Sequence, residues 1–212
     1  MFDISGIIRN ISIVALPFLL AITFHEASHG YVAWLLGDPT AKNSGRLTLN
    51  PLKHLDPVGT IALIVTQMIG WAKPVPINPS YFKNPIKGMM LVSIAGPAAN
   101  FALAVVFTLA YRYLHSLNIT QVSEMEMHIL KPLALIINAG IMINLALCFF
   151  NLIPIPPLDG SKIVAGLLPR EMAFKYLSFE RYGFIVIILL AFLGLLGKII
   201  YPAVNFSLNL LL

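Results

Sequence analysis

From Ile7 to Leu36, Gly88 to Leu117, Pro132 to Ile153 and Gly183 to about Tyr201 the chain is almost continuously apolar, and polar residues collect in the short stretches between. Each run reaches the roughly 20 residues that an α-helix needs to cross the hydrocarbon core of a bilayer, so each predicts a membrane-spanning helix. A fifth run, Val58 to Trp71, is shorter and has the length of a re-entrant or interfacial segment. Trp34, Trp71, Tyr111, Tyr113 and Tyr201 stand near run ends, where interfacial aromatic residues belong. Arg46-Leu47-Thr48-Leu49 and Lys73-Pro74-Val75-Pro76-Ile77-Asn78 alternate with period two and read as short strands. Prolines confine the second to a sheet edge. The pattern predicts an all-α integral membrane protein with a C-terminal span, a short non-crossing apolar segment and a small β element near the membrane face.

Composition agrees. Charged residues make up 11% of the 212, against about 25% in soluble domains, and disorder is excluded by the same apolar excess. The connectors leave no room for an appended soluble domain, so residues 1–212 are expected to form a single membrane-embedded unit. A cleaved signal peptide is not expected, because the first run continues past His25 and Glu26 without a small-residue cleavage site. The net charge of +5 comes from single cations spread between apolar runs, which excludes a nucleic-acid footprint. The lone cysteine, Cys148, permits no intrachain disulfide.

If residues 58–71 do not cross, one side of the membrane collects ten cations, Lys42, Arg46, Lys53, Lys73, Lys83, Lys87, Lys162, Arg170, Lys175 and Arg181. The other side has four, Arg9, Arg112, Lys131 and Lys198. That bias puts the first group in the cytoplasm and the N-terminus outside.

Charge inside a membrane helix is costly and usually marks function. The first run contains His25-Glu26-Ala27-Ser28-His29. Residues four apart share a helix face, so both imidazoles can bind one Zn²⁺, with Glu26 placed as general base. The bland alternative is a helix whose polar residues line a proton or ion path. A catalytic zinc takes three protein ligands and keeps a position for water. Asp159 is the best third ligand: it lies in Asn151-Leu152-Ile153-Pro154-Ile155-Pro156-Pro157-Leu158-Asp159-Gly160, where prolines stop the helix. Irregular backbone at membrane depth is tolerated beside protein or a water-filled cavity. The alternative there is a plain helix exit with an Asp-Gly surface turn. Asp159 can meet the histidines only if it emerges on their side of the membrane, which again requires residues 58–71 not to cross.

These residues resemble the site-2 protease family of intramembrane zinc metalloproteases. His25-Glu26-Ala27-Ser28-His29 is similar to its metal-binding helix, and Asn151 to Asp159-Gly160 to its N-x-x-P-x-x-x-x-D-G motif. Gly96-Pro97-Ala98-Ala99-Asn100 is similar to a G-P-x-x-N on the middle helix of its three-helix core. The resemblance runs from about residue 21 to 162 and implies one zinc per chain held by His25, His29 and Asp159. It implies that Glu26 activates water, and that Asn151 holds the substrate or polarises the scissile carbonyl. Asn100 is a weaker transfer to substrate binding, with a helix-packing amide as the alternative. The extra segment at 58–71 departs from several better-known members.

The expected function is an intramembrane zinc endopeptidase acting on membrane-protein substrates in or near their transmembrane segments. The expected location is the cell membrane of a prokaryote, multi-pass, with the site toward the cytoplasm. An unwound substrate needs partners for its backbone in lipid, and strand addition onto Arg46–Leu49 (Leu47 and Leu49) or Lys73–Asn78 is one way to supply them. A metal or proton transporter using the same His/Glu/Asp cluster is the alternative, against which stands the lack of a visible inverted repeat. His54 is expected to be mainly a loop packing residue.

Overall fold

The computed structural model describes residues 4–66, 70–116 and 124–212. Residues 67–69 of the expected 58–71 segment, and 117–123 at the end of the second span and the connector after it, lie outside the described residues. Three helices dominate: α1 (Ile4–Leu35), α4 (Pro85–Ser116) and α5 (Glu124–Asn151). At 1.5 Å per residue each exceeds the roughly 30 Å apolar thickness of a bilayer. Their long apolar stretches run Ile11–Leu35, Pro85–Ser116 and His128–Asn151, and only 28% to 33% of the most apolar window of each is buried inside the molecule. The remaining apolar surface, including Leu16, Val106, Leu109 and Leu135, demands lipid.

The middle helix α4 packs against both α1 and α5 and also against the short helix α6 (Asp159–Leu167). Prolines 17 and 97 lie inside α1 and α4 and are fully buried, as membrane helices permit when neighbours satisfy the freed backbone groups. Ala104, Ile141, Leu145 and Val204 form the apolar core where α4 and α5 meet the C-terminal helix.

Between α1 and α4 the chain folds over one end of the bundle. Gly37 (φ 102°) ends α1 in a Schellman turn, with Asp38 N–H donating to Ala33 O and Gly37 N–H to Trp34 O. After it come α2 (Thr40–Asn43) and α3 (Pro57–Thr66). The ten described residues of α3 span about 15 Å. The expected β element does not form: among the described residues there is only an isolated bridge, Leu55 with Ala72. The reason lies in the hydrogen bonds. Pro74 and Pro76 have no N–H, Lys73 N–H goes to His54 O, Val75 N–H to Glu26 Oε2 and Asn78 N–H to Asp38 Oδ2. Around Arg46–Leu49, Arg46 N–H donates to Ala41 O, and Thr48 O lies 2.8 Å from His54 Nε2. The period-two segments are tied down by side chains and turns instead of by a ladder.

The expected fourth span falls on a bent pair of helices. Residues 180–211 form α8 (Glu180–Phe192) and α9 (Leu195–Leu211), preceded by α7 (Arg170–Leu177), and α8 and α9 meet at 79°. Gly194 stands in the left-handed region (φ 66°) at the break, a conformation that costs glycine little. The apolar run is continuous in composition but not in backbone direction.

Asp38 anchors this layer. It is buried and accepts from the Thr40 amide, the Thr40 hydroxyl and Asn78 N–H. Burial alone would raise its pKa, but bonds from the Thr40 hydroxyl and the two amides hold it below the ordinary carboxylate value. A group whose folded pKa is depressed contributes stability in full above its unfolded pKa of about 3.9, and loses it as pH falls through the folded value. Asp38→Ala is therefore expected to cost about 1–3 kcal/mol near pH 7, since two amides lose their acceptor. The gap to wild type should narrow below about pH 4. Thermal unfolding of both proteins across pH checks this, and parallel curves down to pH 3 would reject it.

Candidate metal centre

Helix periodicity places His25 and His29 on the face of α1 that packs against α4. The third residue arrives from the far end of α5: Pro154, Pro156 and Pro157 end that helix, and Asp159 opens α6. The N-terminus of α6 favours a carboxylate there. His25, His29 and Asp159 are all buried, and one ligand atom from each lies within 4.8 Å of the others. His25 Nε2 and His29 Nε2 are 3.0 Å apart, and Asp159 Oδ2 is 3.2 and 3.1 Å from them. Lys162 Nζ approaches the other oxygen, Oδ1, at 3.8 Å.

The back of each ring decides the chemistry. His25 Nδ1 lies 2.6 Å from Asn100 Oδ1, and His29 Nδ1 lies 2.7 Å from Val92 O. Both partners are acceptors, so both Nδ1 atoms carry the proton and both Nε2 atoms present lone pairs. With both rings neutral, two lone pairs and a carboxylate oxygen converge, an arrangement that a shared proton or a metal ion relieves. Space is kept for it: a Cβ on Gly96 of α4 would stand 2.5 Å from His29 Nε2 and 2.6 Å from His25 Cε1. The donor set, two imidazoles and a carboxylate, suits zinc.

Glu26 follows His25 on α1 and is half-buried; its Oε2 accepts from Val75 N–H at 2.8 Å. Val75 is buried against Gly30 one turn further along α1. Arg46 holds the same segment by donating from Nη2 to Lys73 O at 2.7 Å. Asn151 is half-buried at the end of α5, where Nδ2 donates to Leu147 O. Leu47 and Leu49 line a cleft of about 350 Å³ with Phe24, Ala27, Ser28 and Tyr31, on another face of α1 from the histidines. Asn100 is fully buried, with its amide bonded to His25, Ala21 and Asn144; the structure puts it behind the histidines and away from any open surface. His54 is a buried loop residue bridging Thr48 O and, through its own carbonyl, Lys73 N–H.

Sequence reasoning missed Asn144 and Val75. Asn144 was visible as an amide in the middle of an apolar run; Val75 acts through its backbone, which residue type does not reveal.

Comparison with known proteins bears on the whole arrangement. The sequence model of Peptidase family M50 matches residues 115–194, a stretch that includes Asn151 and Asp159. YwhC of Bacillus subtilis, named as a zinc metalloprotease, is 40% identical over 192 residues, covering 91% of this chain and 85% of YwhC. Rip2 of Mycolicibacterium smegmatis, named likewise, is 28% identical over 200 residues, 91% of this chain and 68% of Rip2. Rip2 of Mycobacterium tuberculosis strain H37Rv is 26% identical over 180 residues, 81% of this chain and 63% of Rip2. No solved structure matches the chain. A buried His/His/Asp cluster between lipid-length helices, with likeness to YwhC along most of both chains, leaves one assignment: the chain belongs to peptidase family M50, the site-2 proteases.

Proposed function

We propose that this membrane protein is a zinc endopeptidase that hydrolyses peptide bonds in or near the transmembrane segments of membrane-protein substrates. The observation that carries the reading is the convergence of two imidazole lone pairs and a carboxylate oxygen beside a glutamate on the same helix. His25, His29 and Asp159 would hold the ion. Bound there, zinc supplies a Lewis acid that polarises a carbonyl and lowers the pKa of water to about 7.

The chain's own groups handle protons and position. Glu26 takes a proton from the attacking water at Oε1 while Oε2 stays bonded to Val75 N–H. The water oxygen bonds to the carbonyl carbon, the C–N bond breaks, and Glu26 returns the proton to the departing amine. Asn151 has a second amide hydrogen beyond the one spent on Leu147 O, and we assign it to the developing oxyanion.

The substrate must unwind before attack. Lys73–Asn78 has its N–H groups spent or replaced by proline, except at Ile77, so we assign strand addition to Arg46–Leu49. The cations that gather at this end of the bundle support a cytoplasmic site in the cell membrane, and the contacts linking α1, α4, α5 and α6 support a single embedded unit.

Reconstitution with single-span substrates tests the proposal. Wild type is expected to cleave, to stop on zinc chelation, and to resume when zinc returns. Leu47→Pro should slow cleavage without loss of zinc. Cleavage indifferent to chelators would overturn the zinc reading, and an undiminished Leu47→Pro would remove the strand.

A further inference from the structure

Amide orientations in the bundle core are settled by backbone carbonyls, which can only accept. Asn144 on α5 is fully buried, and its Nδ2 lies 2.8 Å from Gly140 O. That atom must be the nitrogen, so the oxygen of Asn144 is what faces Asn100 Nδ2, at 3.0 Å. Asn100 Nδ2 is also 3.0 Å from Ala21 O. Both N–H groups of Asn100 are thereby spent on acceptors, and its oxygen is left toward His25 Nδ1. An amide oxygen carries no hydrogen, so Nδ1 of His25 holds the proton and Nε2 turns its lone pair to His29 and Asp159. The chain of bonds runs from α5 through α4 to α1.

We propose that Asn144 is a positioning residue that, through Asn100, sets the tautomer of His25 and so readies its Nε2 to hold a metal ion. This deepens the zinc reading above and rests on it. Without the Asn144 oxygen, Asn100 keeps only Ala21 O to fix its orientation. The turned amide, which brings its NH₂ to His25 and its oxygen against Ala21 O, is then opposed by one acceptor instead of two and gains population; it selects the Nε2–H tautomer and removes the lone pair. Partners of this kind behind a histidine ligand orient it and raise its basicity. A residue that merely packs α5 against α4 would leave the tautomer alone.

The test uses the full chain in detergent with two measurements: zinc affinity by competition with a chelator, and ¹⁵N shifts of the His25 ring before zinc is added. Asn144→Leu is expected to weaken zinc binding about tenfold, the low end for outer partners of a ligand, and to mix the His25 tautomers. Asn144→Asp, with its buried carboxyl protonated and its O–H given to Gly140 O, keeps an oxygen for Asn100 and is expected to restore both readouts toward wild type. Asn144→Ala replaces the leucine variant if that one fails to fold. A folded Asn144→Leu with unchanged affinity and tautomer would overturn the proposal, and so would an Asn144→Asp as impaired as the leucine variant. If wild type itself bound no zinc, the zinc reading would fall, while the ring shifts would still judge the relay on their own.

Discussion

Glu26→Gln is expected to lower cleavage by about 10²–10⁴-fold, the usual contribution of a general acid–base group, or roughly 2.7–5.4 kcal/mol of barrier. Zinc content should stay at the wild-type level. The substitution isolates basicity. Glutamine keeps the length of the side chain and an oxygen for Val75 N–H, whose bond to Glu26 Oε2 is 2.8 Å. Glutamine cannot take a proton from water. Since His25, His29 and Asp159 are the residues placed to hold the ion, the ion should not notice the change. Measuring zinc per chain alongside initial cleavage rates separates the two properties. A Glu26→Gln protein that cleaves within tenfold of wild type would remove Glu26 from the reaction, and one that loses zinc would make it a ligand.

The bond from Val75 to Glu26 ties this outcome to the layer over the site. Lys73–Asn78 is fixed by Arg46 at one end and by Asp38 at the other, with Val75 buried between them. The Glu26 carboxylate is therefore oriented by backbone that belongs to neither α1 nor the His/His/Asp cluster. In this way the turn chemistry at Gly37 and Asp38 reaches the group we propose as the base.

What the sequence disclosed follows from which signals it carries. Helical periodicity places His25 and His29 on one face from their spacing alone, and the prolines after Asn151 mark where a chain must leave a helix. Counting crossings then brings Asp159 to the same end of the bundle, where it lies about 3 Å from both rings. Period two at Lys73–Asn78 misled, because alternation describes where side chains point and not where N–H groups bond. Proline, the His54 carbonyl and the carboxylates of Glu26 and Asp38 account for all of those groups but that of Ile77. The bend between α8 and α9 was hidden for a related reason: Gly194 adds no polarity to an apolar run, yet its φ of 66° turns the chain. Asn100 was legible as a buried amide across helices but not as the partner of His25, since only the packing of α4 on α1 sets that meeting.

Gly96→Ala is expected to abolish zinc binding and cleavage, although in a bare helix it would stabilise. Alanine is favoured over glycine in a helix by about 0.8–1.0 kcal/mol, and Gly96 lies within α4. The added carbon, however, would stand 2.5 Å from His29 Cε1 and Nε2 and 2.6 Å from His25 Cε1. Flexible side chains could move aside, but these rings are pinned from behind by Asn100 Oδ1 and Val92 O, and Val92 is itself on α4, one turn from Gly96. Either α1 and α4 separate or the rings swing out of register with Asp159. Overpacking of this kind costs about 1–3 kcal/mol, more than the gain in propensity, and it falls on His25 and His29. Gly197→Ala is the control: it lies in α9 with nothing within 4 Å of the added carbon, so propensity alone acts there. Metal analysis and thermal unfolding of the two variants should diverge, with Gly197→Ala retaining zinc and Gly96→Ala losing it. A Gly96→Ala protein that kept wild-type zinc would mean that the rings can yield, and that the close approach of α4 to the histidines is not what holds them in place.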